Sequence, residues 1–142
     1  MSAAPMSGRC LCGAIKFSAA ATGMAMTACH CGMCRRWAGG ALMTVDCAGE
    51  LMLEGAENLA VYRSSEYGER CFCKTCGTTL FWRMQDGSLT EISAQAFDDP
   101  GAFHFAQEIF IDEQPGNYAF AGHRKRLTGA EFFAQFGSTD NG

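Results

Sequence analysis

Eight of the nine cysteines in this chain fall into three tight groups, Cys10-x-Cys12, Cys29-x-Cys31-x-x-Cys34 and Cys71-x-Cys73-x-x-Cys76, and only Cys47 stands alone. Cysteines two or three positions apart are poorly placed to bond one another, but from a tight turn they can grip one ion. Zinc takes thiolates tetrahedrally at about 2.3 Å, and C-x-x-C knuckles followed by glycine are a common way to build such a site. Cys73-Lys74-Thr75-Cys76-Gly77 has that form, with Gly77 able to supply the positive φ that turns backbone amides toward sulfur. In a secreted chain the same cysteines would read as a disulfide framework. The N-terminus, Met1 to Arg9, carries no apolar stretch followed by a small-residue cleavage site, so a cytoplasmic location with reduced thiols is expected.

At 142 residues the chain has material for one core, and a single domain over 1–142 is expected, ordered from about residue 8 to 137 with short polar tails. Lys16, Arg35, Asp46, Glu54 and Arg63 interrupt every apolar region, which excludes a membrane-spanning helix. Eleven Lys and Arg against fifteen Asp and Glu give a formal charge of -4, which argues against a nucleic-acid partner. The basic run His123-Arg124-Lys125-Arg126 reads as a solvated face.

The local pattern is mostly β. Arg9 to Phe17 reads as a strand with Cys10, Cys12, Ala14 and Lys16 on one side and Leu11, Ile15 and Phe17 on the other. Met26 to Trp37 reads as a loop with one helical turn that ends at Gly39-Gly40. Further strands are expected over Ala41–Asp46 and Glu50–Glu54, around a turn at Ala48-Gly49, then over Asn58–Arg63, Arg70–Cys73 and Thr78–Arg83. Gln85-Asp86-Gly87 marks a hairpin into Leu89–Ser93. Another strand, Gln107–Ile111, precedes a turn at Gln114-Pro115-Gly116. A short C-terminal helix follows Thr128, with Glu131 completing a capping box, Phe132, Phe133 and Phe136 as its apolar face and Gly137 at its end.

Ligand counting separates two kinds of zinc site. A closed structural site needs four protein ligands, whereas a catalytic one has three and an open position. Cys10, Cys12, Cys73, Cys76, Cys29, Cys31 and Cys34 divide as four plus three, although spacing alone leaves open which groups meet. A fourth ligand such as His30 or His104 would make the middle group a second structural site. Arg35 and Arg36 read either as a solvated pair or as a carboxylate clamp. His30 either shapes its loop or serves as ligand or proton relay. Cys47 and Cys71 read as buried small hydrophobes, and Trp37 and Trp82 as core.

Gly8-x-Cys10-x-Cys12-Gly13, Cys29-His30-Cys31-x-x-Cys34 and Arg70-x-Phe72-Cys73-x-x-Cys76-Gly77-x-x-Leu80, in that order, resemble the glutathione-dependent formaldehyde-activating family over about residues 8 to 115. The resemblance implies a mainly β fold, the zinc-binding β-tent of stacked antiparallel sheets, shared with Rab-exchange-type zinc chaperones and R-specific methionine sulfoxide reductases. It implies two Zn2+ per chain: a structural ion on Cys10, Cys12, Cys73 and Cys76, and a catalytic ion with an open position on Cys29, Cys31 and Cys34. The chain departs from the family late, where many members carry His, Ile and an aromatic and this sequence has Glu108-Ile109-Phe110.

A free thiol, with a pKa near about 8.5, is mostly neutral at pH 7, and coordination to zinc ionises it beside an electrophile. The resemblance implies a carbon-sulfur lyase that forms or cleaves a thiol-aldehyde adduct such as S-hydroxymethylglutathione. Its partners would be a glutathione-like thiol and a small aldehyde such as formaldehyde, with Arg35, Arg36 and His30 as thiol-substrate contacts. Two rival readings are a non-enzymatic zinc module or chaperone of the same fold, and a redox enzyme with Cys71 or Cys47 as nucleophile.

Overall fold

The computed structural model describes residues 5–47 and 51–136. The turn expected at Ala48-Gly49 and the helix-ending Gly137 lie outside them. The elements are β1 (Met6–Arg9), β2 (Lys16–Ala19), β3 (Ala25–Cys29), α1 (Gly32–Ala38), β4 (Leu42–Cys47), β5 (Leu51–Glu54), β6 (Leu59–Tyr62), β7 (Gly68–Cys73), β8 (Thr79–Met84), β9 (Thr90–Ser93), β10 (His104–Ile109), β11 (Lys125–Leu127) and α2 (Gly129–Ala134). They form a three-stranded sheet, β1-β2-β5, and an eight-stranded sheet, β11-β10-β3-β4-β9-β8-β7-β6. The fold is mainly β, as expected, and no helix among the described residues is long and apolar enough to cross a membrane.

Strand alternation explains where the core sits. Met26, Val45, Ile92, Phe81 and Cys71 stand opposite one another across β3, β4, β9, β8 and β7, and all five are buried. They face the small sheet, which contributes Phe17 and Ala19. Full burial of a side chain such as Ile92 or Phe81 stabilises the fold by about 1.5–3 kcal/mol. Phe97 closes the gap between the sheets, edge-on to Phe17 at 5.1 Å and to Phe103 at 5.0 Å between ring centroids. The alternate positions, Asp46, Glu91, Trp82, Arg70 and Tyr62, are also in register and occupy the opposite face of the large sheet. Trp82 and Trp37 are half-buried, so the expectation that they belong to the core fails.

Four other expectations change. Arg9 to Phe17 is not one strand: Gly13, at φ +81°, turns the chain, with Gly13 N–H donating to the Cys10 carbonyl and Cys10 N–H to that of Ile15. Cys10 is therefore buried and Cys12 exposed, rather than both lying on one strand face. The sheets are not wholly antiparallel, because β10 pairs in parallel with both β3 and β11. The single turn of helix expected before Gly39 is a seven-residue helix, α1, with Cys31 at its N-cap. The basic run is a solvated face except at one residue: His123, Lys125 and Arg126 are exposed, the last two on edge strand β11, but Arg124 turns inward onto Glu108.

The C-terminal helix begins as read, although Phe136 lies past its last residue and is exposed. Thr128 and Glu131 exchange both capping-box hydrogen bonds at the start of α2, and Phe132 and Phe133 pack against Phe110. Phe110 has φ +57°, a left-handed conformation costly for a bulky residue. That turn folds the segment after β10 back over the sheet edge, bringing Tyr118 and Arg124 onto His30 and Glu108.

Candidate metal centres

The structure brings the seven cysteines together as one group of four and one group of three. The sulfurs of Cys10, Cys12, Cys73 and Cys76 all lie within 4.8 Å of one another, and so do those of Cys29, Cys31 and Cys34.

The four-cysteine centre joins two knuckles. Cys10 and Cys12 sit in the β1–β2 turn that ends at Gly13, and Cys73 and Cys76 in the β7–β8 turn that ends at Gly77, also at φ +81°. The centre therefore rivets the small sheet to the large one. A tetrahedron with metal–sulfur bonds of about 2.3 Å has sulfur–sulfur edges of about 3.8 Å. Here Cys10 and Cys12 are 3.7 Å apart, and Cys12 and Cys73 are 3.8 Å apart. The donor set fits zinc. Backbone amides point at the sulfurs, from Ile15 to Cys10 at 3.3 Å and from Cys76 to Cys73 at 3.4 Å. Thr78 clamps the knuckles together: its hydroxyl accepts from Leu11 N–H at 2.9 Å and meets the Cys76 sulfur at 3.1 Å. That hydroxyl contact, with backbone amides, pulls the Cys76 thiol down to about 5. Cys10 and Cys73 are 1% and 0% exposed, so nothing from solvent reaches half of the set.

The three-cysteine centre lies at the end of β3. Cys29 is the last residue of the strand, Cys31 caps α1, its sulfur accepting from Cys34 N–H at 3.3 Å, and Cys34 is buried in the first turn. Three clustered soft donors fit zinc, and among the described residues no fourth His, Cys, Asp or Glu joins them. His104 is not that ligand: parallel pairing sets it opposite Ala25, four residues back along β3 from Cys29. The sulfurs are unequal. Hydrogen bonds from Cys29 and Cys34 pull Cys31 down to about 2, while the same contact with Cys31 pushes Cys29 far up. Cys34 is drawn down by Cys29 but raised more by Cys31 and by burial, to about 11.

His30 does not face the sulfurs. It is 0% exposed, with Nε2 2.8 Å from a Glu108 carboxylate oxygen and Nδ1 2.7 Å from the Tyr118 hydroxyl. A carboxylate only accepts, so Nε2 carries the proton and Tyr118 donates to Nδ1. Its backbone is equally occupied, N–H donating to the Ile109 carbonyl and C=O accepting from Arg35 Nε at 2.9 Å. Substrate contact is thereby closed to His30, which instead fixes the loop between Cys29 and Cys31. Burial raises the Glu108 carboxyl, but hydrogen bonds from Arg124 at 2.7 Å and from His30, with Arg126 nearby, outweigh it and hold it below its ordinary value. The Arg124 guanidinium also stacks 4.0 Å from the Phe105 ring centroid.

Arg35 and Arg36 stand on α1 beside the cluster; Arg35 is tied to the His30 carbonyl, and Arg36 is exposed, with a 3.3 Å bond to the Gly32 carbonyl. Cys47 and Cys71 are buried, and burial pushes the Cys71 thiol up to about 11, which suits packing rather than nucleophilic chemistry. Sequence reasoning missed four residues: Arg70, whose Nη1 lies 3.7 Å from the Cys34 sulfur, and Glu108, Tyr118 and Arg124. Two carried a signal, since Glu69-Arg70 is a charged pair inside a strand of buried residues and Glu108 stands directly before the apolar run Ile109-Phe110-Ile111.

The family model described as glutathione-dependent formaldehyde-activating enzyme matches residues 5–113. A Schizosaccharomyces pombe protein, named only as an uncharacterized lyase, is 34% identical over 122 residues, covering 85% of this chain and 89% of the relative. A crystal structure of a Rhodobacter sphaeroides protein shares the fold, with a TM-score of 0.58 and 24% identity over 66% of this chain and 88% of that one. With cysteine clusters that fit zinc and a relative named as a lyase, the chain belongs to the glutathione-dependent formaldehyde-activating enzyme family.

Proposed function

We propose that this protein is a zinc-dependent carbon-sulfur lyase that forms or cleaves a thiol-aldehyde adduct such as S-hydroxymethylglutathione, from glutathione and formaldehyde. Cys10, Cys12, Cys73 and Cys76 hold a structural Zn2+, and Cys29, Cys31 and Cys34 a catalytic one. The observation that carries the reading is the incomplete donor set of the second centre: three sulfurs, with His30 turned away and His104 distant. When bound there, zinc supplies the Lewis acidity that keeps a substrate thiol ionised at neutral pH beside an electrophilic carbonyl.

The rest is positioning. Adduct formation adds sulfur and hydrogen across the aldehyde C=O bond, the thiol proton ending on oxygen, so no electrons leave or enter. Arg36, exposed beside the cluster, and the free end of Arg35 offer bidentate donors to the carboxylates of glutathione. Arg35 also holds the His30 carbonyl, so the residue that meets substrate stiffens the cysteine loop. Cysteines committed to two zinc ions suit a reducing, cytoplasmic setting.

The test is NMR exchange between labelled formaldehyde plus glutathione and S-hydroxymethylglutathione, with zinc-loaded protein and Cys31→Ser as control. Acceleration by the wild type alone is expected. Equal rates with wild type, variant and buffer would remove this substrate pair.

A further inference from the structure

A guanidinium keeps its charge at every pH a protein survives, and burying it costs several kcal/mol unless an anion compensates. Of the other arginines that are not exposed, half-buried Arg35 bonds the His30 carbonyl, while Arg83 meets Glu69 at 2.6 Å and Arg124 meets Glu108 at 2.7 Å, as that rule asks. Arg70 does not follow it. It is 6% exposed, and among the described residues no carboxylate lies within ion-pairing distance of it. Its Nε donates to the neutral Ser64 hydroxyl at 3.1 Å, its guanidinium lies 5.1 Å from the Trp37 ring centroid, and its Nη1 donates to the Cys34 sulfur at 3.7 Å.

Fold and chemistry put that contact in context. Arg70 lies on β7, on the sheet face opposite the core, and Cys34 and Trp37 lie on α1. The guanidinium thus ties the helix carrying one donor, and the aromatic one turn on, to the strand that runs into Cys73. Three thiolates around one Zn2+ carry a net charge of about -1, and a fourth thiolate makes it about -2. Such a centre, partly out of water, needs a fixed cation beside it. The four-cysteine centre is served by backbone amides and the Thr78 hydroxyl, and no guanidinium hydrogen-bonds to its sulfurs among the described residues.

We infer that Arg70 is the charge-balancing residue of the three-cysteine centre, a positioning residue that acts through Cys34 and lets the centre retain its metal while taking a further anionic sulfur ligand. Only the identity of that ligand as a thiol rests on the function proposed above.

The full chain, loaded with Zn2+ or Co2+, tests this as wild type, Arg70→Gln and Arg70→Lys, with Cys31→Ser marking the spectrum and metal count without the second ion. One arm measures metal retention by native mass spectrometry against increasing chelator. The other titrates 2-mercaptoethanol, which has no carboxylate for an arginine to bind, into the cobalt protein and follows sulfur-to-cobalt charge-transfer absorption. Arg70→Gln is expected to keep the four-cysteine ion and to lose the other at a chelator concentration at least tenfold lower than wild type. Its thiol titration midpoint is expected to rise by at least tenfold, and Arg70→Lys to recover most of both losses. Retention and spectra of Arg70→Gln equal to wild type would overturn the inference, as would Arg70→Lys failing as fully as Arg70→Gln, which marks a packing role. Should Arg70→Gln not fold, Trp37→Leu replaces it, expected to shift retention the same way by a smaller factor and overturning the inference if it shifts nothing. A wild-type cobalt spectrum indifferent to the thiol would defeat the proposed function, while the chelator arm still decides the role of Arg70.

Discussion

The two cysteine centres are made of the same residue and are built differently. At the four-cysteine centre both knuckles end in a glycine at φ +81°, backbone amides reach the Cys10 and Cys73 sulfurs, and these two donors are sealed from solvent. Its cysteines come from two turns 61 positions apart that join two sheets, so an ion bound there would close a long loop. At the three-cysteine centre all donors come from one strand–helix junction, and side chains join the Cys34 amide that bonds Cys31: Arg70 on the Cys34 sulfur, and His30 pinned between Glu108 and Tyr118 behind the loop. Local ligands make a poor rivet, and on the function proposed above the missing fourth ligand leaves a place for substrate. On the function proposed above, the centre with no guanidinium on its sulfurs is structural, and the one that Arg70 reaches can be tuned.

The sharpest way to break this contrast is to remove one sulfur from each centre. Cys73→Ser is expected to abolish folding, because metal binding at such a centre is folding free energy of about 10 kcal/mol or more. Cys31→Ser is expected to stay folded with one zinc fewer. Circular dichroism and native mass spectrometry read both, and equal unfolding would end the distinction. Chelation sharpens it further: the three-cysteine ion is expected to leave first, with the fold intact until the second ion follows.

A smaller effect probes the support behind the three-cysteine loop. Glu108→Ala leaves Arg124 and His30 buried without their anion, and breaking such a pair costs about 3–5 kcal/mol. Urea denaturation of the metal-loaded protein should show that loss, and no change in midpoint would mean that the network supports nothing. Smaller still is Glu91, on the sheet face opposite the core. Burial, with Asp46 beside it, pushes its carboxyl up to about 9, against a Thr44 hydroxyl bond at 2.8 Å. The folded chain then holds a proton that the unfolded chain releases above about 4.5, so stability is full below that pH and falls as pH rises toward about 9. Glu91→Gln should flatten this slope and raise the thermal midpoint at pH 8 by about 2–4 °C. An unchanged pH profile would show that Glu91 is not the titrating group.

What the sequence made legible follows from how local each feature is. Cysteine spacing, the Gln85-Asp86-Gly87 hairpin and the Thr128/Glu131 box are written within a few residues, and they appear in the structure. The same local view misread Arg9 to Phe17: apparent alternation hid a turn at Gly13, because one residue at positive φ outweighs a period-two pattern. It misread Arg124 too, since a run of basic residues says nothing about a carboxylate 16 positions earlier on the neighbouring strand. The partners of the three-cysteine centre were out of reach for the same reason. His30 meets Glu108 across 78 positions and Arg70 meets Cys34 across 36, both set by strand pairing and helix placement.

The central claim is that one centre is closed and the other open, and zinc-edge X-ray absorption on the fully loaded protein tests it most directly. Four sulfurs at one ion and three at the other predict an average of 3.5 sulfurs per zinc, rising toward four when glutathione is added and unchanged by a thiol-free analogue. An average of four before any thiol is added, or no rise afterwards, would mean that the second centre is as closed as the first.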